Sequence, residues 1–351
     1  MSSEKLCLNM VTCSLKLVEI KRETDDSITL CFKQPALKKI KYLAGQYITL
    51  IFKINGRRYC RPYSFSSAPG IDELLEITVK RVLNGVVSNH IHDSVKVGDT
   101  IIAMPPMGDF VYNDSTPVKH VYLWGVGSGV TPLVSIAKFL LYTVKDVNVT
   151  LIYGNKNFET TIFLEQINSF EEEFKSKFTC YHFHTKSFIS DRYPNLIEGR
   201  ISSNKVQEII RKTSTDDSVH YICGPAGLKE SVSSTLIKHG ISDGAIFSED
   251  FELVKDPKDF VDIITQDVSI IFEGTEYTIE IAKGKSILEA ALDANIELPY
   301  SCQVGNCSSC IGQLLHGDLK TIGVEHRSEL LSDEYLLCCS YPMTKNIKIK
   351  I

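Results

Sequence analysis

The stretch Cys302-Gln303-Val304-Gly305-Asn306-Cys307-Ser308-Ser309-Cys310 sets three thiols at a C-x4-C-x2-C spacing, and the adjacent Cys338 and Cys339 supply a fourth further on. Three ligands so close along the chain let one loop wrap a metal group, and the small Gly305, Ser308 and Ser309 let backbone N–H groups approach its sulfur atoms. The spacing is that of a [2Fe-2S] site. Structural zinc normally needs paired C-x2-C knuckles, and only one such knuckle is present. From the residues alone either Cys338 or Cys339 can close the site. The remaining Cys7, Cys13, Cys31, Cys60 and Cys180, with whichever of that pair is left over, are expected to be small buried hydrophobes. A thiolate loop of this kind needs a small domain of its own, which leaves most of the chain to do something else.

With 351 residues the chain exceeds what one core comfortably holds, so two or three domains are expected. A hydrophobic share of 43% beside 23% charged residues is that of a soluble globular protein, and no apolar run approaches the ~20 residues that span a bilayer. The start, Met1-Ser2-Ser3-Glu4-Lys5, lacks a basic and then apolar layout, so the eleven cysteines are expected in a reducing cytoplasm rather than in disulfides. Of 38 basic and 43 acidic residues, 9 and 16 lie in 251–351, which concentrates the acidity there. No basic block points to nucleic acid, and the acidic end is either a solvated face or a docking patch.

Up to about residue 110 the chain reads as short strands broken by turns: Leu15–Lys21, Ser27–Lys33, Gln46–Ile54 and Leu75–Arg81. From His120 the rhythm becomes strand, turn and amphipathic helix, with strands at Val121–Trp124, Val149–Tyr153, Phe178–His184 and Val219–Cys223. That is a parallel-sheet pattern. The polar 251–264, with Lys255-Asp256-Pro257-Lys258-Asp259, suits a connector crossing solvent. Beyond it a hairpin is expected around Gly274 (Val268–Phe272, Tyr277–Ile281), then a helix opened by the capping box Ser286-Ile287-Leu288-Glu289. The expected domains are 8–114, 115–250 and 265–351, with 251–264 as linker. No internal repeat or low-complexity tract interrupts them.

Arg61-Pro62-Tyr63-Ser64-Phe65-Ser66-Ser67 follows the Gln46–Ile54 strand. A guanidinium suits bidentate phosphate contact, a tyrosine can lie against isoalloxazine, and a hydroxyl such as that of Ser64 can hydrogen-bond flavin N5. Without context Arg61 is equally an ordinary surface cation. R-x-Y-S at this place resembles the flavin motif of the ferredoxin-NADP reductase superfamily. Gly85-Val86-Val87-Ser88 precedes an amphipathic stretch, so Ser88 is expected to cap a helix whose first amides face pyrophosphate. Pro106-Met107-Gly108-Asp109-Phe110 closes this part of the chain. In the resembling enzymes P-x-G-x-F accompanies FAD, whereas the phthalate dioxygenase reductase type, which uses FMN, departs from it, so FAD is expected.

Val121-Tyr122-Leu123-Trp124 leads into Gly125-Val126-Gly127-Ser128-Gly129-Val130-Thr131-Pro132 and then an apolar helical run. Glycines let backbone amides reach a pyrophosphate, with Thr131 expected as N-cap and Pro132 as first helical residue. The spacing is not G-x-G-x-x-G, and Tyr153-Gly154-Asn155 ends the second strand without an acid, so the usual ribose rule does not transfer. Cys223-Gly224-Pro225 resembles the segment by which the superfamily holds the nicotinamide side; read alone, Cys223 is buried filler. Glu249 and Phe251 resemble residues near the flavin edge in relatives, or else form a solvated turn.

The resemblance covers nearly the whole chain: an antiparallel β-barrel FAD domain, an α/β parallel-sheet nucleotide domain and an α+β β-grasp ferredoxin domain of plant type. In such ferredoxins the last ligand stands three residues before an aromatic and proline, and Cys338 precedes Tyr341-Pro342 in that way. The same order of parts is similar to reductase components of multicomponent oxygenases, including phenylacetyl-CoA epoxidase and ketosteroid hydroxylases. It implies electron flow from NAD(P)H through flavin to the cluster and on to an oxygenase, in a protein monomeric by itself and bound to neither nucleic acid nor membrane. The candidate catalytic groups are Ser64, Cys223 and Glu249. The candidate cofactor contacts are Arg61, Pro62, Tyr63, Ser64, Gly85, Val86, Val87, Ser88, Gly127, Thr131, Pro132, Asn155, Cys223, Gly224 and Pro225. Candidate iron ligands are Cys302, Cys307, Cys310 and Cys338. Lys156 or Lys186 could meet the 2′-phosphate of NADPH, which the resemblance favours over NADH, or be solvated. His90, His92, His182 and His184 have metal-like spacings without carboxylate company and are expected to be structural. Rivals are a dihydroorotate dehydrogenase electron-transfer subunit, which lacks a ferredoxin domain, and a redox-sensing protein that binds the cofactors without turnover.

Overall fold

The computed structural model describes residues 11–35, 39–113, 118–186, 193–212, 217–324, 327 and 329–351; Cys7 and the first residues of the expected first domain lie outside them. The chain divides into two compact units, one of residues up to Phe52 and Tyr63–Phe251, the other of Lys53–Pro62 and Glu252–Ile351.

The first sheet holds β1 (Cys13–Thr24), β2 (Ser27–Lys33), β3 (Tyr47–Ile54), β4 (Arg57–Ser64), β5 (Leu74–Lys80) and β6 (Thr100–Ala103), in the order β4-β3-β6-β1-β2-β5. Alternation drives it: Leu15 and Leu17 on β1 are fully buried while Lys16 and Val18 face out. Just past β4, Phe65 bridges Ile77 of β5, and Ser66 N donates to Glu76 O at 2.9 Å, so the sheet closes into a barrel. Arg57–Ser64 is itself a strand, where the sequence suggested only a motif following one. Its entry turn, Asn55-Gly56, takes positive φ at both residues (51° and 82°), the geometry of a two-residue hairpin.

The second sheet holds β7 (His120–Val126), β8 (Asn148–Asn155), β9 (Phe178–His184), β10 (Leu196–Glu198), β11 (Ser218–Cys223) and β12 (Ile246–Glu249), in the order β10-β9-β8-β7-β11-β12. Its pairings are all parallel. After α1 (Val86–Ser94) come α2 (Val130–Thr143), α3 (Leu164–Glu173), α4 (Ser203–Lys212) and α5 (Leu228–Lys238). On β7, Val121 and Leu123 pack with residues of α2 and α3, while Tyr122 and Trp124 pack with α4 and α5, so helices cover both faces. From β7 the chain winds outward through β8, and from β11 through β12 the other way. The crevice at their C-terminal ends is the switch point where such sheets bind ligands.

The second unit holds β13 (Gln266–Phe272), β14 (Thr275–Ile281), α6 (Ile287–Asp293), β15 (Ile311–His316), β16 (Leu319–Thr321), β17 (Glu334–Leu336), β18 (Ser340–Pro342) and β19 (Ile347–Lys350). Its main sheet runs β14-β13-β19-β15-β17, with β13 and β19 parallel and the other pairs antiparallel. The capping box is formed: Glu289 N donates to Ser286 Oγ (3.2 Å) and Ser286 N to Glu289 Oε2 (2.7 Å). Most of the polar segment expected to cross solvent belongs to this unit instead. Ile263 is buried with Ile322 and Tyr341, Phe260 meets the Tyr341 ring at 5.1 Å, and Lys320 Nζ donates to Asp259 O at 2.6 Å. Its few apolar side chains gain more from burial than its many charges gain from full exposure.

Candidate functional site

In the second unit, the loop after α6 carries Cys302, Cys307 and Cys310, and the turn before β18 carries Cys338 and Cys339; all five are buried. Gln303 and Gly305 take positive φ (62° and 80°), which curls the loop. A Cβ on Gly305 would lie 2.3 Å from Val324 Cγ1, so this position admits glycine alone. The thiols come as two pairs. Cys302 donates to Cys307, and that bond, aided by the Cys302 and Ser309 backbone and the Ser309 hydroxyl, lowers the Cys307 thiol despite its burial. Cys302 is raised by the same bond and by burial. Cys310 is raised by its bond to Cys338 and then by burial. That bond lowers Cys338, but contact with Cys339 and burial outweigh it and leave Cys338 raised.

Among the described residues no group of three or more His, Cys, Asp or Glu is gathered to hold a single ion. Two pairs of buried sulfurs under a small-residue loop suit a group with two irons. Within this unit Tyr300, two residues before Cys302, fixes the loop: its hydroxyl accepts from Cys60 N (3.0 Å) and donates to Arg58 O (3.3 Å). Arg61 Nη1 donates to Cys60 O at 2.8 Å.

In the first unit the three candidate catalytic groups lie together. Ser64 and Glu249 are both buried, and Ser64 Oγ donates to Glu249 Oε2 at 3.4 Å. Burial raises the Glu249 carboxyl to about 8, the Ser64 bond opposing it and Asp250 reinforcing it. Cys223 pairs with Glu249 across the parallel β11–β12 register and is fully buried, which pushes its thiol well up. Gly108 packs where a Cβ would meet the Tyr47 ring at 3.0 Å, and its carbonyl accepts from Gln46 Nε2 at 3.2 Å. Gln46 and Tyr47 were not singled out in the sequence, because nothing marks them but their place at the start of β3.

Two expected caps are not caps. The N-cap of α1 is Gly85; Ser88 lies inside the helix, where its hydroxyl accepts from Val82 N at 3.1 Å and braces the preceding turn. The N-cap of α2 is Gly129; Thr131 is the second helical residue, donating to Ser128 O at 3.0 Å, and Pro132 the third. A 3-10 turn over Gly127–Gly129 moves the helix start forward. Gly127 has φ 56° and open space around its missing Cβ. Gly129 is the opposite, since a Cβ there would lie 2.3 Å from Cys223 O and 2.9 Å from Gly224 Cα. Thus α2 begins against the end of β11, joining the glycine turn to Cys223 and Gly224.

Asn155 ends β8 with its Nδ2 buried and unpaired. Beside it, Lys186 N donates to Lys156 O at 2.8 Å, and both side chains are exposed. His182 and His184 pack their buried rings against Phe158 at 5.5 and 4.3 Å, while His90 meets Phe52 at 5.7 Å and His92 Nε2 contacts Val79 O at 3.0 Å. Phe251 is exposed. Cys31, Cys60 and Cys180 are buried as expected, and Cys13 is half-buried. The barrel and the nucleotide sheet are tied within this unit by Lys138 Nζ on Asp72 Oδ2 (2.8 Å) and Ser135 Oγ on Ser67 O (2.6 Å). The available signal was a lone lysine inside the apolar run of α2.

Residues 14–112 match the family described as an oxidoreductase FAD-binding domain, 123–234 an oxidoreductase NAD-binding domain, and 270–344 a 2Fe-2S iron-sulfur cluster binding domain. Two relatives are the ferredoxin reductase component of 3-ketosteroid-9-alpha-monooxygenase from Rhodococcus rhodochrous (26% identical) and a component of 1,2-phenylacetyl-CoA epoxidase from Escherichia coli K12 (28%), each alignment covering 96% of both chains. The solved structure of phthalate dioxygenase reductase shares the fold, with a TM-score of 0.68 at 22% identity over 97% of this chain and 98% of that one. The chain is therefore an oxidoreductase with three cofactor modules, using NAD(P)H, FAD and a [2Fe-2S] cluster. Its modules stand in the order FAD-binding, NAD-binding and 2Fe-2S along the chain, in keeping with the resemblance to the ferredoxin-NADP reductase superfamily. A full 2Fe-2S domain separates it from the dihydroorotate dehydrogenase type.

Proposed function

We propose that this protein is the reductase component of a multicomponent oxygenase, drawing electrons from NADPH and delivering them one at a time to a separate oxygenase, with aromatic (phenylacetate) degradation as the specific setting. The observation that carries this is the meeting of Ser64, Glu249 and Cys223 in the unit that bears the nucleotide motif, in a chain that also holds the buried thiols. The phenylacetate setting is supported by the 28% identity to the Escherichia coli protein. Bound flavin exchanges a two-electron donor for a one-electron acceptor, the chemistry an iron–sulfur relay requires.

The chain's residues supply the placement. Arg61, Pro62, Tyr63 and Ser64 bind the flavin, with Ser64 turning its single O–H from Glu249 to the flavin's reacting edge, and Gly85, Val86, Val87 and Ser88 frame its pyrophosphate at the start of α1. Gly127, Thr131 and Pro132 form the turn for the NADPH pyrophosphate, while Asn155 offers its side-chain amide to the nucleotide. Cys223, Gly224 and Pro225 position the nicotinamide. Burial, which raises the Glu249 carboxyl to about 8, favours its neutral form beside this edge. Cys302, Cys307, Cys310 and Cys338 hold the cluster. The adjacent Lys156 and Lys186 support a 2′-phosphate and hence NADPH. A cytoplasmic location accords with ten free cysteines among the described residues.

Anaerobic titration with NADPH and with NADH, followed by absorbance and electron paramagnetic resonance, tests this directly. Flavin bleaching and then a reduced [2Fe-2S] signal are expected, at lower concentrations of NADPH than of NADH. Bleaching without that signal overturns the relay. Rapid NADPH-dependent reduction of cytochrome c is also expected, and its absence would favour a redox-sensing binding protein.

A further inference from the structure

We propose that Cys339 is a spare ligand for the iron–sulfur group, a fifth thiol placed to take over coordination from Cys338. This rests on the assignment of Cys302, Cys307, Cys310 and Cys338 as ligands. Neighbouring residues of an extended strand point to opposite faces, which would send one of two adjacent cysteines away from the site. Here Cys339 N donates to Leu336 O at 2.9 Å, closing a turn just before β18, and the Cys338 and Cys339 sulfurs come to 3.4 Å in a buried setting. Cys339 is fully buried.

The second observation comes from the ligand loop. A Cβ on Gly305, between Cys302 and Cys307, would lie 3.1 Å from Cys339 Sγ. The sulfur of Cys339 therefore faces the loop that wraps the cluster as well as the sulfur of Cys338. Changing from one staggered χ1 well to the next swings a cysteine sulfur by about 3 Å, comparable to the gap between the two sulfurs. In the exchange, Cys339 releases its thiol proton to water as its sulfur forms the iron–sulfur bond left open by the missing Cys338 sulfur. No electron is transferred. Cys302, Cys307 and Cys310 each lack an adjacent cysteine in the sequence.

The test compares Cys338→Ala, Cys310→Ala, Cys302→Ala, Cys339→Ala and the double Cys338→Ala/Cys339→Ala in the full-length protein, each measured for iron, acid-labile sulfide, flavin content and the resonance spectrum after reduction. Cys338→Ala is expected to keep its iron and sulfide with changed g values. Cys310→Ala, Cys302→Ala and the double variant are expected to lose both while keeping flavin, and Cys339→Ala to match the parent. Cys310→Ala and Cys338→Ala each remove one sulfur of the same buried pair, so a general folding defect would show in both. Equal loss in these two overturns the spare-ligand role. Loss in Cys339→Ala with retention in Cys338→Ala reverses the two roles and also overturns it. Retention in Cys302→Ala would instead defeat the four-ligand assignment on which the inference stands.

Discussion

Ser64 Oγ and Glu249 Oε2 lie 3.4 Å apart, joining the end of β4 to the end of β12 where both side chains are buried. Burial, opposed by this bond and reinforced by Asp250, holds the carboxyl at about 8 against the usual 4.5. Between those values the folded protein keeps the proton and the unfolded chain loses it. The stability contributed by this group is full below about 4.5 and is lost as pH rises through about 8. Glu249→Gln should therefore gain thermal stability relative to the parent as pH rises across that window. Melting curves recorded through it provide the check, and a constant difference would contradict the buried neutral carboxyl.

Removing the hydroxyl in Ser64→Ala takes away the bond that lowers Glu249, so the carboxyl should titrate higher still. It should also slow flavin reduction by NADPH about tenfold, the worth of roughly one hydrogen bond of ~1.4 kcal/mol. Ser64→Thr should retain most of the rate. Stopped-flow reduction decides it: a parental rate in the alanine variant removes Ser64 from the flavin edge.

Gly129→Ala places a methyl 2.3 Å from Cys223 O, where backbone must shift. The expected cost is about 1–3 kcal/mol of stability, with a raised KM for NADPH because the glycine turn and the end of β11 part company. Thermal melts and steady-state kinetics measure the two effects. An unchanged KM in a folded variant would show that the contact does not position the nucleotide.

Cys307→Ser should abolish the [2Fe-2S] resonance signal while leaving NADPH-dependent bleaching of the flavin, since Cys307 belongs to one compact unit and the Ser64–Glu249–Cys223 group to the other. Loss of flavin reduction as well would show that the two units do not work independently.

Much of this was legible in the sequence because it is local. The capping box at Ser286, the hairpin around Gly274 and the glycine turn before α2 each express a backbone rule within a few residues, and the cysteine spacing expresses a ligand rule. What was not legible depends on closure and on direction. Arg57–Ser64 carries too many polar side chains to read as a strand, and it becomes one because the barrel has to pair there. Ser88 and Thr131 have the right chemistry for caps, but their hydroxyls satisfy Val82 N and Ser128 O instead, a choice set by three-dimensional packing. The segment 251–264 looked solvated because charges outnumber its anchors, yet Phe260 and Ile263 decide where it lies.

The Lys138–Asp72 and Ser135–Ser67 contacts give the barrel and the nucleotide sheet a common chassis. With the flavin on the barrel and the nicotinamide on the sheet, as proposed above, these two contacts brace one part against the other, and hydride transfer is expected to proceed without a hinge between them. Thickening the solvent with glycerol should leave hydride transfer untouched, and any drag it exerts on turnover would point to the later handover to the oxygenase.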